Sequence, residues 1–138
     1  MKLKQHITHT INVPIQVDDE AIDNILWGAV NQGSTYWLHS VEVTREGSNG
    51  TNTEDGIPTI FGQIQTGGEL TFEAPEDDMD MTFEKYTLTL ENFLEGLSKY
   101  LLEFPNCIED GQIETCNIDS GMCDLILQYA LFEEQIYG

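Results

Sequence analysis

Few side chains in this chain have the type and spacing to do chemistry. Its histidines are His6, His9 and His39. His9 and His39 both fall in the apolar phase of alternating stretches, so across a sheet they could meet as a base pair or as metal ligands. The simpler reading makes each a satisfied core or edge side chain. His6 and His9, three apart in an extended segment, project to opposite faces, which weakens a local zinc site. Cys107, Cys116 and Cys123 are odd in number and lack a Cys-x-x-Cys spacing, as expected of reduced thiols in a cytoplasmic protein. The run Glu76-Asp77-Asp78-Met79-Asp80 is acidic enough for a calcium loop but lacks the spaced ligands, central Gly and terminal Glu of an EF-hand. Gly47, Gly50 and Gly56 belong to no Gly-x-x-x-x-Gly-Lys phosphate cradle. No cofactor, metal or catalytic residue is expected.

The carboxylates are what this sequence has in excess. Asp and Glu number 25 against 5 Lys and Arg, a formal net charge of −20 over 138 residues. Solubility of a small domain needs a net charge of only about 2–8, and further like charge costs stability by self-repulsion. Direct nucleic-acid binding is excluded, because it depends on Lys and Arg neutralising phosphates. Anionic membrane surfaces are excluded for the same reason, and no apolar run is long enough to span a bilayer. Duplex DNA carries a negative charge about every 1.7 Å, and a rigid carboxylate-studded surface can occupy a cleft built for it. The same surface can also serve solubility alone, and composition does not separate the two.

Periodicity supplies the elements that must position these groups. Residues 7–17 alternate, with Ile7, His9, Ile11, Val13, Ile15 and Val17 on one face, which predicts a strand placed by Pro14 at an edge or bulge. Asp18 then caps a helix over 19–31, with Asp19, Glu20 and Asp23 in its acidic first turn. A strand over 35–45 carries Trp37, His39, Val41 and Val43 in one phase. Residues 46–56 read as a loop. Strands 58–65 and 69–74 are expected to form a hairpin through Thr66-Gly67-Gly68, with a left-handed Gly. An acidic connection over 75–81, a strand over 84–90, a helix over 91–103 ended by Pro105, and a last helix over about 120–132 follow. That last helix is apolar on more than one stripe, so it is central or meets a partner. The expected fold class is α+β in a single domain, 1–138. It is an antiparallel sheet of about five strands with three helices packed mainly on one face, in the order β-α-β-β-β-β-α-α.

Three stretches together resemble a known group. They are Tyr36-Trp37; Gly67-Gly68-Glu69-Leu70 with Leu88-Thr89-Leu90-Glu91-Asn92-Phe93-Leu94-Glu95-Gly96; and Thr115-Cys116-Asn117-Ile118-Asp119 through Gln128-Tyr129-Ala130-Leu131-Phe132 to Ile136-Tyr137-Gly138. The combination resembles a family of small acidic proteins of unassigned function encoded in prophages and other mobile elements of gut Firmicutes, whose members tend to be shorter across 46–66. The resemblance implies a genomic setting in which small acidic proteins often block host defence, for example as anti-CRISPR or anti-restriction proteins. It transfers no catalytic residue.

The expectation is a non-enzymatic inhibitor, acting in the host cytoplasm, of a CRISPR effector or restriction nuclease. Its partner would be a host defence protein with a basic nucleic-acid-binding surface. The candidate partner-binding residues are Glu76, Asp77, Asp78 and Asp80, aided by Asp18, Asp19, Glu20, Glu109 and Asp110. The alternative is a binding module, either a nucleotide-messenger sponge lined by cations such as Arg45 and Lys85 or a toxin-neutralising immunity protein. An enzyme would need His9 and His39 to meet. The last helix and the Phe132…Ile136-Tyr137 tail either offer a homodimer surface or complete the core.

Overall fold

Asp18 starts the first helix. Its backbone is extended, and its carboxylate accepts the Ala21 N–H at 2.8 Å, fixing the start of α1 (Asp19–Gly28). The computed structural model describes residues 7–48, 60–77 and 82–138, with the backbone alone for Asp77. One π turn, Ala29–Gly33, carries α1 into a tight turn in which the Ser34 carbonyl accepts the Trp37 and Leu38 N–H groups. The chain then enters β1 (Ser40–Arg45), passes a 3-10 helix at Phe61–Thr66, and forms β2 (Glu69–Asp77) and β3 (Thr82–Leu88).

These strands make an antiparallel sheet in the order β1-β2-β3. Leu70 pairs with both Val43 and Leu88, and Phe72 with Val41 and Tyr86, so one face is apolar. Leu70, Phe72 and Leu88 are wholly buried there. The opposite face carries the rows Ser40–Glu73–Lys85 and Glu42–Thr71–Thr87.

Helix α2 (Leu90–Glu103) opens on a capping box in which the Thr89 N–H donates to Asn92 Oδ1 at 2.6 Å and the Asn92 N–H returns to Thr89 Oγ1. A small hairpin follows, β4 (Ile108–Glu109) and β5 (Gln112–Ile113), turning on Asp110 and Gly111, both at positive φ. Helix α3 (Ser120–Phe132) is capped by Asp119 on the Met122 N–H. It packs against α1, α2, the π turn and β3, which explains its apolar breadth.

Several expectations need correction. Residues 7–15 carry no regular structure and belong to no strand, and Gln16 forms an isolated bridge, parallel to Gln112. The alternation there is real, yet no sheet edge among the described residues meets it. Residues 61–66 coil into a 3-10 helix because Ile60, Phe61 and Ile64 repeat every three to four positions, not every two. Gly67 is left-handed, φ 94°, as a helix terminator and not as the tip of a hairpin. The strand expected over 35–45 begins only at Ser40, and Leu90 belongs to α2. The fold is α+β as expected, but with a three-stranded and a two-stranded sheet in the order α-β-β-β-α-β-β-α. His6, residues 49–56 with Gly50 and Gly56, residues 58 and 59, and Asp78 through Asp80 lie outside the described residues.

Candidate functional site

The segment that leads into α1 is tied to the β4–β5 hairpin. The Gln16 N–H donates to the Gly111 carbonyl at 2.8 Å, and the Ile113 N–H returns to the Gln16 carbonyl. This clamp ties the β4–β5 turn to the segment that leads into α1, and Asp18, Asp19, Glu20, Glu109 and Asp110 are all exposed. The macrodipole of α1 favours the first-turn carboxylates, and Asp-Gly suits a two-residue turn with both φ positive. Asp18 already spends one oxygen as the helix cap. Nearby Gln65 anchors α1 through the Asp19 carbonyl at 3.0 Å and Asp23 Oδ1 at 2.9 Å. Partial burial, opposed by the Gln65 bond and reinforced by the Asp19 charge, raises the Asp23 carboxyl above its ordinary value.

Glu76 sits elsewhere. It is exposed near the end of β2 that leads to β3, whereas Gln65 holds α1 close to the Glu69 end. Seven residues of strand separate the two ends, roughly 23 Å at about 3.3 Å per residue. Asp77 ends β2, and Asp78 and Asp80 fall outside the described residues. Among the described candidates, Glu76 therefore lies apart from the α1 acids.

The cations of the described residues all face oxygen. Arg45 Nη1 lies 3.5 Å from Glu69 Oε2, and its Nε donates to the Gly67 carbonyl. Lys85 Nζ lies 3.9 Å from Glu73 Oε1, and Lys99 Nζ donates to the Glu133 carbonyl at 2.9 Å. A groove of about 660 Å³ between α2 and α3 holds Lys99 beside Glu95 and Glu133. Such a groove offers no converging positive charge to an anion. His9 and His39 are exposed, against their expected apolar phase, and His39 stacks on Phe83 at 3.9 Å. No group of three or more His, Cys, Asp or Glu among the described residues could hold a metal ion. Among the same residues, no helix is long and apolar enough to cross a membrane.

A second polar centre escaped the sequence reading. Asp124, buried in α3, accepts Ser34 Oγ at 2.8 Å and Trp37 Nε1 at 2.7 Å on Oδ1, and the Tyr36 hydroxyl at 2.7 Å on Oδ2. Gln128 Nε2 approaches both oxygens at 3.2 Å, while Gln128 Oε1 accepts the Ile136 and Tyr137 N–H groups. Trp37 stacks on Tyr137 at 5.0 Å and meets Phe132 edge-on at 5.4 Å. The centre thus ties the α1–β1 turn, α3 and the C-terminal tail into one unit. Its polar groups are used up on one another, and the Ser34 hydroxyl held by Asp124 is wholly buried. A lone Asp four residues before a Gln in an otherwise apolar helix is the signal that marks it.

Burial around this core holds protons on three groups. Desolvation, then the hydrogen bond to Asp124 and its charge, pushes Tyr36 up to about 12. Burial pushes Tyr100 up to about 12 and Cys123 up to about 11, with Asp119 adding to both. A group whose folded pKa is raised lends stability that is full below its unfolded value and lost as pH rises through the folded one. The unfolded values are 9.0 for the thiol and 10.0 for the phenols. The urea midpoint, followed by circular dichroism, should therefore hold up to pH 9 and fall between about 9 and 12. Tyr36→Phe should flatten part of the fall, and a midpoint unchanged to pH 12 would contradict the assignment.

Comparison with protein-family models, curated proteins and solved structures yields no match.

Proposed function

We propose that this chain is a non-enzymatic inhibitor that occupies the basic nucleic-acid channel of a host defence nuclease, a CRISPR effector or restriction enzyme. The observation that carries the reading is the pairing of charge. Every described cation is engaged on a carboxylate or carbonyl oxygen, while the acids of the α1 start and the β4–β5 turn stand exposed, on segments tied together at Gln16, and form no ion pair among the described residues. Such a face gains by meeting Lys and Arg that normally hold phosphate, with association steered over long range. The sponge alternative needs a cation-lined pocket, and Lys99 lies among carboxylates.

The test is competition with labelled duplex DNA for a panel of CRISPR effectors and restriction nucleases at rising salt. Inhibition should weaken as salt rises, because exposed charges are screened. Replacing Asp19 and Asp110 by Asn, and Glu20 and Glu109 by Gln, leaves the Asp18 cap intact. At about 0.5 kcal/mol per exposed charge, the fourfold variant should lose about 2 kcal/mol, or roughly thirtyfold in potency. Neutralising Glu76, Asp77, Asp78 and Asp80 separately shows which end of the sheet meets the nuclease. Potency that ignores both salt and all eight substitutions would reject the mechanism. A pull-down from host lysate with and without nuclease treatment then tells a nucleic-acid-binding partner from a basic toxin.

A further inference from the structure

We propose that residues 9–15 pair with the same residues of a second copy of this chain as an antiparallel two-stranded β-ribbon. The proposal stands whether or not the acidic face binds a nuclease. The alternation that predicts a strand finds no partner among the described residues of one copy. Ile7, Ile11 and Val13 are 74%, 80% and 63% exposed, and the backbone of residues 7–15 bonds to no described residue. Intramolecular pairing starts only at Gln16, which is held by Gly111 and Ile113. A row of unpaired N–H and C=O groups flanked by exposed β-branched side chains is a template for another strand.

Charge identifies the occupant. Residues 7–17 contain no Asp, Glu, Lys or Arg, although the chain as a whole carries −20. Val13 continues into Leu94 and Leu102, the latter 84% exposed, around a cavity of about 320 Å³ with no charged side chain in its lining. Two equally acidic molecules repel across their carboxylate surfaces, so a neutral apolar patch is where a second copy can approach. A basic partner would find no carboxylate there. The order of charge along the sequence sets the orientation. Lys2 and Lys4 precede the segment, and Asp18, Asp19 and Glu20 follow it. Antiparallel pairing matches these opposite signs, whereas parallel pairing would set like against like.

Pro14 fixes the pair types of a ribbon centred on Asn12. Pairing about Asn12 puts Ile11 opposite Val13, His9 opposite Ile15, and Thr10 opposite Pro14. Proline has no N–H, so the Thr10–Pro14 pair must be of the non-hydrogen-bonded kind. Pair types alternate, so the Asn12–Asn12 pair two residues along is of the same kind. Its Cα atoms then lie about 4.5 Å apart, within the span a disulfide bridges.

The experiment uses the full chain. Light scattering during size exclusion, with protomer concentration raised from micromolar to sub-millimolar, should give a mass twice the 15.6 kDa of the chain. Ile11→Asp, at an exposed position that leaves the core untouched, should raise the dimer dissociation constant at least tenfold while retaining the circular dichroism of the fold. Asn12→Cys in a Cys116→Ser background should cross-link to a dimer under mild oxidation, and Asn24→Cys in that background should not. A single-chain mass at every concentration overturns the proposal. So does a dimer indifferent to Ile11→Asp, or one that does not cross-link through position 12.

Discussion

Asp124→Ala is expected to cost about 3–5 kcal/mol of folding free energy, a large share of the roughly 5–15 kcal/mol that holds a domain together. The substitution removes an acceptor and leaves its donors behind. Ser34 is wholly buried and Trp37 is 4% exposed, so neither finds water when the carboxylate goes. An orphaned buried donor costs about 1–3 kcal/mol, and here there are two, besides the small void. Tyr36, at 58% exposure, can turn to solvent, and Gln128 keeps the Tyr137 carbonyl, so these two add less. Asp124→Asn separates the acceptor role from the charge. Its Oδ1 can still take Ser34 and Trp37, while its amide nitrogen faces a Tyr36 hydroxyl free to rotate and accept. That variant should lose about 1–2 kcal/mol, closer to one exchanged hydrogen bond. Urea midpoints of the wild type, Asn and Ala proteins give the order directly. An Ala variant within about 0.5 kcal/mol of wild type, as for an ordinary surface acid, would show that the network carries no weight.

The helices were legible because their signals are local. Asp18, Thr89 and Asp119 each cap within three residues of themselves, and the apolar stripes behind them repeat at helical spacing. Strand partners were not legible, because alternation says which face is buried and not what lies alongside. Leu70, Phe72 and Ala74 would suit a hairpin with 58–65 as well as the sandwich between β1 and β3 that the chain adopts. Residues 7–15 carry the same ambiguity in reverse, a strand pattern with no edge to join among the described residues. The β4–β5 hairpin had its signal in Asp110-Gly111, but strands of two residues are too short to show a period.

The candidate site was half legible. Acidic runs announce themselves in sequence, yet the tie between the segment leading into α1 and the β4–β5 turn is the Gln16–Gly111 clamp, which joins positions nearly a hundred residues apart. Asp124 was hidden for the same reason, since its donors Ser34, Tyr36 and Trp37 lie 87 to 90 residues away. Tyr36-Trp37, Gln128, Phe132 and Tyr137-Gly138, far apart in the chain, meet at this centre.

Gly96→Ala is expected to destabilise the fold by about 2 kcal/mol, although alanine is the better helix former by about 1 kcal/mol. At Gly96 the α2 backbone meets α3 so closely that an added Cβ would lie 2.4 Å from the Ala130 nitrogen and 2.5 Å from its Cα. Those are backbone atoms, so no rotamer can relieve the clash, and the two helices must part. Parting them disturbs more than one contact. The same helix pair fixes Phe132, which packs edge-on to Trp37 and Tyr86 beside the Asp124 centre. Gly121→Ala provides the opposite sign within α3. Its added Cβ would meet only Asp119 Oδ1, at an ordinary 3.4 Å, on an exposed turn. That variant should gain up to about 1 kcal/mol from reduced backbone entropy in the unfolded chain. Thermal and urea unfolding of the two variants should therefore move in opposite directions from wild type. Equal shifts of the same sign would mean that propensity, and not the closeness of α2 and α3, decides the outcome at Gly96.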